Sequence, residues 1–234
     1  MRLDELFRNL GYIAGTIGTQ MREAYDGVPL AELDLSGAPP RKVGLCGPGQ
    51  VFLAEGEPFA IEVEPGPASD DLRFGLDEGK LRISGGASET IVRVTLPAPD
   101  RLSVAGAGRI TAEKVARDSK VRIAGSGRLE VLDVEGGKLT VSVAGSGRVA
   151  LDGRADELEL SIAGSGSCDG EGLVVDRAEV HIAGSGDAIF ACNGEVAAHL
   201  MGSGNVIVRG SARCSVRSVG SGTVTCERER ESAD

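Results

Sequence analysis

The chain of 234 residues contains no Trp, two Tyr and five Phe, so aromatics make up only 3% of it. A core must therefore be assembled from Val, Ile, Leu and Ala. Histidine occurs twice, and the five Cys include no C-x-x-C spacing. That pattern indicates neither a zinc site nor a disulfide framework. No stretch approaches the roughly 18 apolar residues of a membrane span. The opening "MRLDELFRNLGYIAGTIGTQ" is not built as a signal peptide, since Asp4 and Glu5 stand where a basic region belongs. These absences lead to the expectation of a soluble, cytoplasmic protein. Positive charge is also short, with 25 Lys and Arg against 35 Asp and Glu and a net charge of −10. An acidic surface repels nucleic acid and anionic membranes, so neither is expected as a partner.

Glycine, by contrast, is abundant at 35 residues, and it is periodic. Gly-x-Gly units occur at Gly106 and Gly108, Gly125 and Gly127, Gly145 and Gly147, and Gly164 and Gly166. They continue at Gly184 and Gly186, Gly202 and Gly204, and Gly220 and Gly222. Successive units lie 18 to 20 residues apart. Propeller blades need about 40–45 residues, so this period suits one coil of a solenoid. Two residues before each unit stand Val104, Ile123, Val143, Ile162, Ile182, Leu200 and Ser218; four before stand Leu102, Val121, Val141, Leu160, Val180, Ala198 and Val216. Ile110, Leu129, Val149, Cys168, Ala188, Val206 and Val224 follow two after. Alternation at period two with like residues in columns marks strands with one buried face.

Two other accounts of the glycines compete with a solenoid corner. A dinucleotide-binding loop needs a third Gly five residues after the first. Thr111, Glu130, Ala150, Asp169, Ile189, Ile207 and Thr225 occupy those places, and no helical pattern follows. A series of hairpins would explain the alternation, but not the constant period or the matched columns. The expected fold is all-β, a right-handed parallel β-helix whose Gly-x-Gly corners stack along one edge.

Residues 1–27 read differently. Leu3, Leu6, Phe7, Leu10, Ile13, Ala14, Ile17 and Met21 form one helical stripe, weakened by Gly11, Gly15 and Gly18. This amphipathic segment has three open roles: a cap on the solenoid, a homo-oligomer contact, or a membrane-surface contact. Residues 28–227 are expected to form a single solenoid domain, 28–100 as N-terminal strands and 101–227 as Gly-x-Gly repeats. Residues 228–234 read as a charged tail.

The arrangement resembles the family known as putative auto-transporter adhesin, head GIN domain, over roughly residues 33–226. "GPGQVFLAEGEPFAIEVEP" is similar to the opening strands of that family, and "LRFGLDEGKLRIS" to its next segment. "VTLPAPDRLSVAGAG" resembles its entry into the repeats, and "MGSGNVIVRGSARCSVRSVGSG" its closing units. The resemblance implies a right-handed parallel β-helix with no established enzymatic activity. Many members carry an export signal or lipid anchor, and many place Asp after the Gly-Ser-Gly, as only Asp187 does here.

Few residues suggest chemistry. Arg109, Arg128 and Arg148 follow the second Gly in three consecutive units and would form a ladder. Like charges about 5 Å apart cost near 1 kcal/mol even in water, so solvent or an acidic polymer must accommodate them. His181 and His199 would stack one coil apart, in a column of Ser103, Arg122, Ser142, Ser161 and Arg217; an exposed polar column is the plainer account. Cys168 and Cys226 fall on inward registers as core fillers, and no column pairs Cys46, Cys192 or Cys214. No catalytic residue, cofactor or metal site is expected. The leading expectation is a non-catalytic, adhesin-like scaffold presenting repetitive faces to a protein or polysaccharide partner. The alternatives are a carbohydrate-binding or carbohydrate-cleaving β-helix and a self-assembling or envelope-stress module.

Overall fold

A computed structural model describes residues 27–66 and 68–227. The expected helical segment lies outside the described residues except for Gly27, and the charged tail lies wholly outside them. The strands are β1 (Lys42–Cys46), β2 (Gln50–Glu55), β3 (Ala60–Val63), β4 (Arg73–Asp77), β5 (Lys80–Ser84) and β6 (Ile91–Leu96). They continue with β7 (Arg101–Gly106), β8 (Arg109–Ala112), β9 (Lys120–Gly125), β10 (Arg128–Glu135), β11 (Lys138–Gly145) and β12 (Arg148–Gly164). The last are β13 (Ser167–Gly184), β14 (Asp187–Gly202), β15 (Asn205–Arg209), β16 (Arg213–Gly220) and β17 (Thr223–Glu227).

The chain forms a parallel β-solenoid. Strands that enter a Gly-x-Gly corner stack as one face, and strands that leave it stack as a second. Registers run column to column: Val141 lies beside Val121 and Leu160, and Leu160 beside Val180. Parallel pairing of neighbouring units excludes the hairpin account, in which they would run antiparallel. The inward columns merge into one continuous apolar cluster from Val43 to Val208. Each fully buried Val, Leu or Ile in it contributes about 1.5–3 kcal/mol.

The N-terminal layers do not follow chain order. β1 pairs with β5 on one side and β7 on the other, and β2 likewise with β6 and β8. The coil made first by the sequence is thus inserted between two made later. Beyond β5 and β6 the stack ends in antiparallel strands, β4 on β5 and β3 on β6. Val28 bridges to Phe74 on the outer side of β4, and Leu30, Leu33, Leu35 and Phe59 pack on the core there. Residues 28–35, 59–66 and 68–76 therefore close this end.

At the other end lies the coil of β16 and β17, where Val216 is 45% and Val219 71% exposed. Here the structure corrects the cysteine expectation. Cys226 is not a core filler; it is disulfide-bonded to Cys214. Cys214 continues the inward column below Val196, and Cys226 that below Val208. In the last coil of the described residues these two columns face each other, so the thiols meet across the lumen. Column matching compares a residue with its neighbours up the stack, and it is blind to a partner across the coil. A disulfide closing a loop of about 15 residues is worth about 3 kcal/mol. Cys226→Ser is expected to abolish amide-exchange protection over residues 213–227 while leaving the middle coils protected. Unchanged protection there would show that the cross-link does not hold the coil.

Candidate functional site

The corner at Gly164 and Gly166 shows what the glycines do. Gly164 has φ +119°, and a Cβ there would lie 2.5 Å from the Gly145 carbonyl oxygen of the coil below. At Gly166 the demand is space alone: a Cβ would lie 2.5 Å from Val143 Cγ1 and 2.8 Å from the Gly147 oxygen. The residue between contributes its backbone, since the Ser165 amide donates to the Gly145 oxygen at 3.0 Å, while its side chain is exposed. The same amide bond recurs at Ser126, Ser146, Ser185 and Ser203. These coil-to-coil amide bonds give the corners a structural role.

An eighth corner escaped the period. Gly47, Pro48 and Gly49 join β1 to β2, and the Arg109 amide donates to the Gly49 oxygen as the Arg128 amide does to Gly108. It stacks against Gly106 and Gly108 although it stands far from them in sequence. The quoted "GPG" was the available signal, and only the inserted layer reveals its place.

On the second face, Arg109, Arg128 and Arg148 occupy one column in register. All three are exposed. Among the described residues none of them has a carboxylate partner; Arg148 Nε donates to Ser167 Oγ at 3.2 Å. The column continues through Asp187, Asn205 and Thr223. There Asn205 Nδ2 donates to Asp187 Oδ1 at 3.0 Å, and Thr223 Oγ1 to Asn205 Oδ1 at 2.7 Å. The arginine half of the column carries most of its spare side-chain donors among the described residues.

On the first face, His181 and His199 stack with ring centroids 5.0 Å apart and planes 7° from parallel. His181 is 7% exposed, so the expectation of an exposed column fails at this residue. Its ring is enclosed by its stacked neighbour and by Glu179, whose Oε1 lies 2.9 Å from Nε2. Burial holds the His199 imidazole below its ordinary value, aided by His181 and Arg217 and opposed by Glu179. Among the described residues no group of three or more His, Cys, Asp or Glu is placed to hold a metal ion. Cys168 is buried, and that burial pushes its thiol up to about 12. No helix of the described residues is long and apolar enough to cross a membrane.

A family model described as "Putative auto-transporter adhesin, head GIN domain" matches residues 39–212. No curated protein matches the chain. Among solved structures it is similar to a putative adhesin from Bacteroides fragilis, with a TM-score of 0.73 and 18% identity over 81% of this chain and 93% of that one. A putative lipid binding protein from Parabacteroides distasonis gives a TM-score of 0.66 and 18% identity over 82% and 94%. A putative adhesin from the same organism gives 0.61 and 21% identity over 82% and 94%.

Proposed function

Because the chain belongs to the family described as putative auto-transporter adhesin, head GIN domain, we propose that it is a non-catalytic scaffold whose arginine row engages an acidic polysaccharide. The observation that carries this reading is the register of Arg109, Arg128 and Arg148, exposed and without carboxylate partners among the described residues. Coils repeat at about 4.8 Å along the axis, so the row offers cations at a fixed short interval. A linear polymer bearing carboxylates would meet several of them at once, and affinity would come from repetition. Relief of the repulsion between adjacent guanidinium groups favours the bound state. Names of binding proteins among the structural relatives support a role in recognition.

The test is titration of the full chain with polygalacturonate and with neutral dextran. Polygalacturonate is expected to bind and dextran not to bind. Changing Arg109, Arg128 and Arg148 together to Ser should weaken binding at least tenfold with the fold unchanged, because exposed positions tolerate substitution. Affinity should also fall as salt rises, since exposed charges are screened over about 10 Å at 0.1 M. Undiminished binding by the triple variant would sink the proposal.

A further inference from the structure

Outside the arginine row, positive charge is densest on the first face, where the inserted layer brings distant residues together. Lys80, Lys42, Arg101 and Lys120 form one outward column across four successive layers. Two residues along, the next outward column reads Arg82, Gly44, Ser103 and Arg122. Layers stand about 4.8 Å apart and alternate residues of a strand about 7 Å apart. Six cations thus share a patch about 14 Å long and two columns wide, on a chain whose net charge is −10.

The carboxylates around this patch are engaged elsewhere or at its margin. Asp100 pairs with Arg41 at 3.0 Å, and Glu157 and Glu159 both pair with Lys138. Asp118 accepts from the Lys138 amide, and Asp77 lies 4.0 Å from Arg82 at the edge. Among the described residues none of Lys42, Arg101, Lys120 or Arg122 has a carboxylate partner. Arg101 and Arg122 are half-buried, and the Nε atom of each is buried without a hydrogen-bond partner. A hollow of about 20 Å³, room for about one water, lies to one side of the cluster, lined by Gly44, Lys80, Arg82 and Ser103 among others.

We infer that this basic cluster of the first face binds a compact, multiply charged phosphate compound. Geometry separates it from the arginine row, which is single-file, exposed and suited to an extended polymer. Here the cations lie side by side in two columns, and three of them are guanidinium groups able to grip phosphate oxygens in pairs. Lysines at the rim add point charge. A ligand with several phosphates close together offsets the repulsion among Lys42, Arg101, Lys120 and Arg122 at once, whereas isolated carboxylates do so less completely.

Isothermal titration of the full chain with inorganic tripolyphosphate and with orthophosphate tests this. Tripolyphosphate is expected to bind more tightly than orthophosphate. Arg101→Gln with Arg122→Gln should weaken it at least tenfold. Lys42→Gln with Lys120→Gln, which removes neither buried Nε atom, should do the same and guards against misfolding of the first variant. The Arg109, Arg128 and Arg148 to Ser variant should retain tripolyphosphate binding, which keeps this inference separable from the polysaccharide reading. No binding, binding unmoved by both double variants, or equal loss in the triple variant would overturn it. Cosedimentation with phosphatidic acid vesicles, lost in the same double variants, would assign a lipid headgroup as source. Tripolyphosphate binding without cosedimentation would assign a soluble phosphate compound.

Discussion

Gly164→Val should cost about 2–5 kcal/mol of stability, and Ser165→Ala less than about 0.5 kcal/mol. Two costs combine at Gly164. A side chain at φ +119° is strained, worth about 1–2 kcal/mol. Its Cβ would also meet the Gly145 oxygen at 2.5 Å, and that oxygen belongs to a backbone fixed by its own coil. Overpacking of this kind adds about 1–3 kcal/mol. Ser165 touches the coil below through its amide, which alanine retains. Changes at exposed side chains of this sort fall within about 0.5 kcal/mol. Urea midpoints of the two variants check the ranking, and a larger loss for Ser165→Ala would contradict the assignment of the corner to glycine.

Leu160→Ala is expected to be about as damaging, at about 2–5 kcal/mol. The side chain is fully buried and sits between Val141 and Val180 in the middle of the stack. Truncation removes apolar surface from both neighbouring coils and leaves a void that stacked backbones cannot collapse to fill. Val216→Ala, in the same column but 45% exposed in the last coil, should cost less than about 1 kcal/mol. Thermal denaturation of both variants reads the contrast directly. Equal losses would mean that the column does not act as a packed core.

Much of this fold could be read from the chain because a solenoid repeats its physical problem at every coil. Val104, Ile123, Val143 and Ile162 meet one another in register, so each must be apolar for the same reason, and periodicity exposes the reason. Arg109, Arg128 and Arg148 were visible as a row by the same logic. The rest depends on contacts that break the period. Lys42 lies beside Arg101 and Lys80 only because a layer is inserted, so the basic cluster has no signature in the repeat. Antiparallel β3 and β4 carry no glycine pair to mark them. Cys214 and Cys226 meet across the coil rather than along it, and His181 is enclosed by Glu179 from a neighbouring column. Repetition reveals what lies above and below a residue, but not what faces it.

The out-of-order layer also bears on how such a chain matures during synthesis. β1 and β2 leave the ribosome first, yet both their lateral partners are still to come. They cannot be zipped on each side until β7 and β8 have emerged, and closing those long loops makes the opening step slow. Every later coil docks on the one just finished, so elongation of the spiral then keeps pace with translation. The nascent protein has one hesitant beginning and a quick remainder.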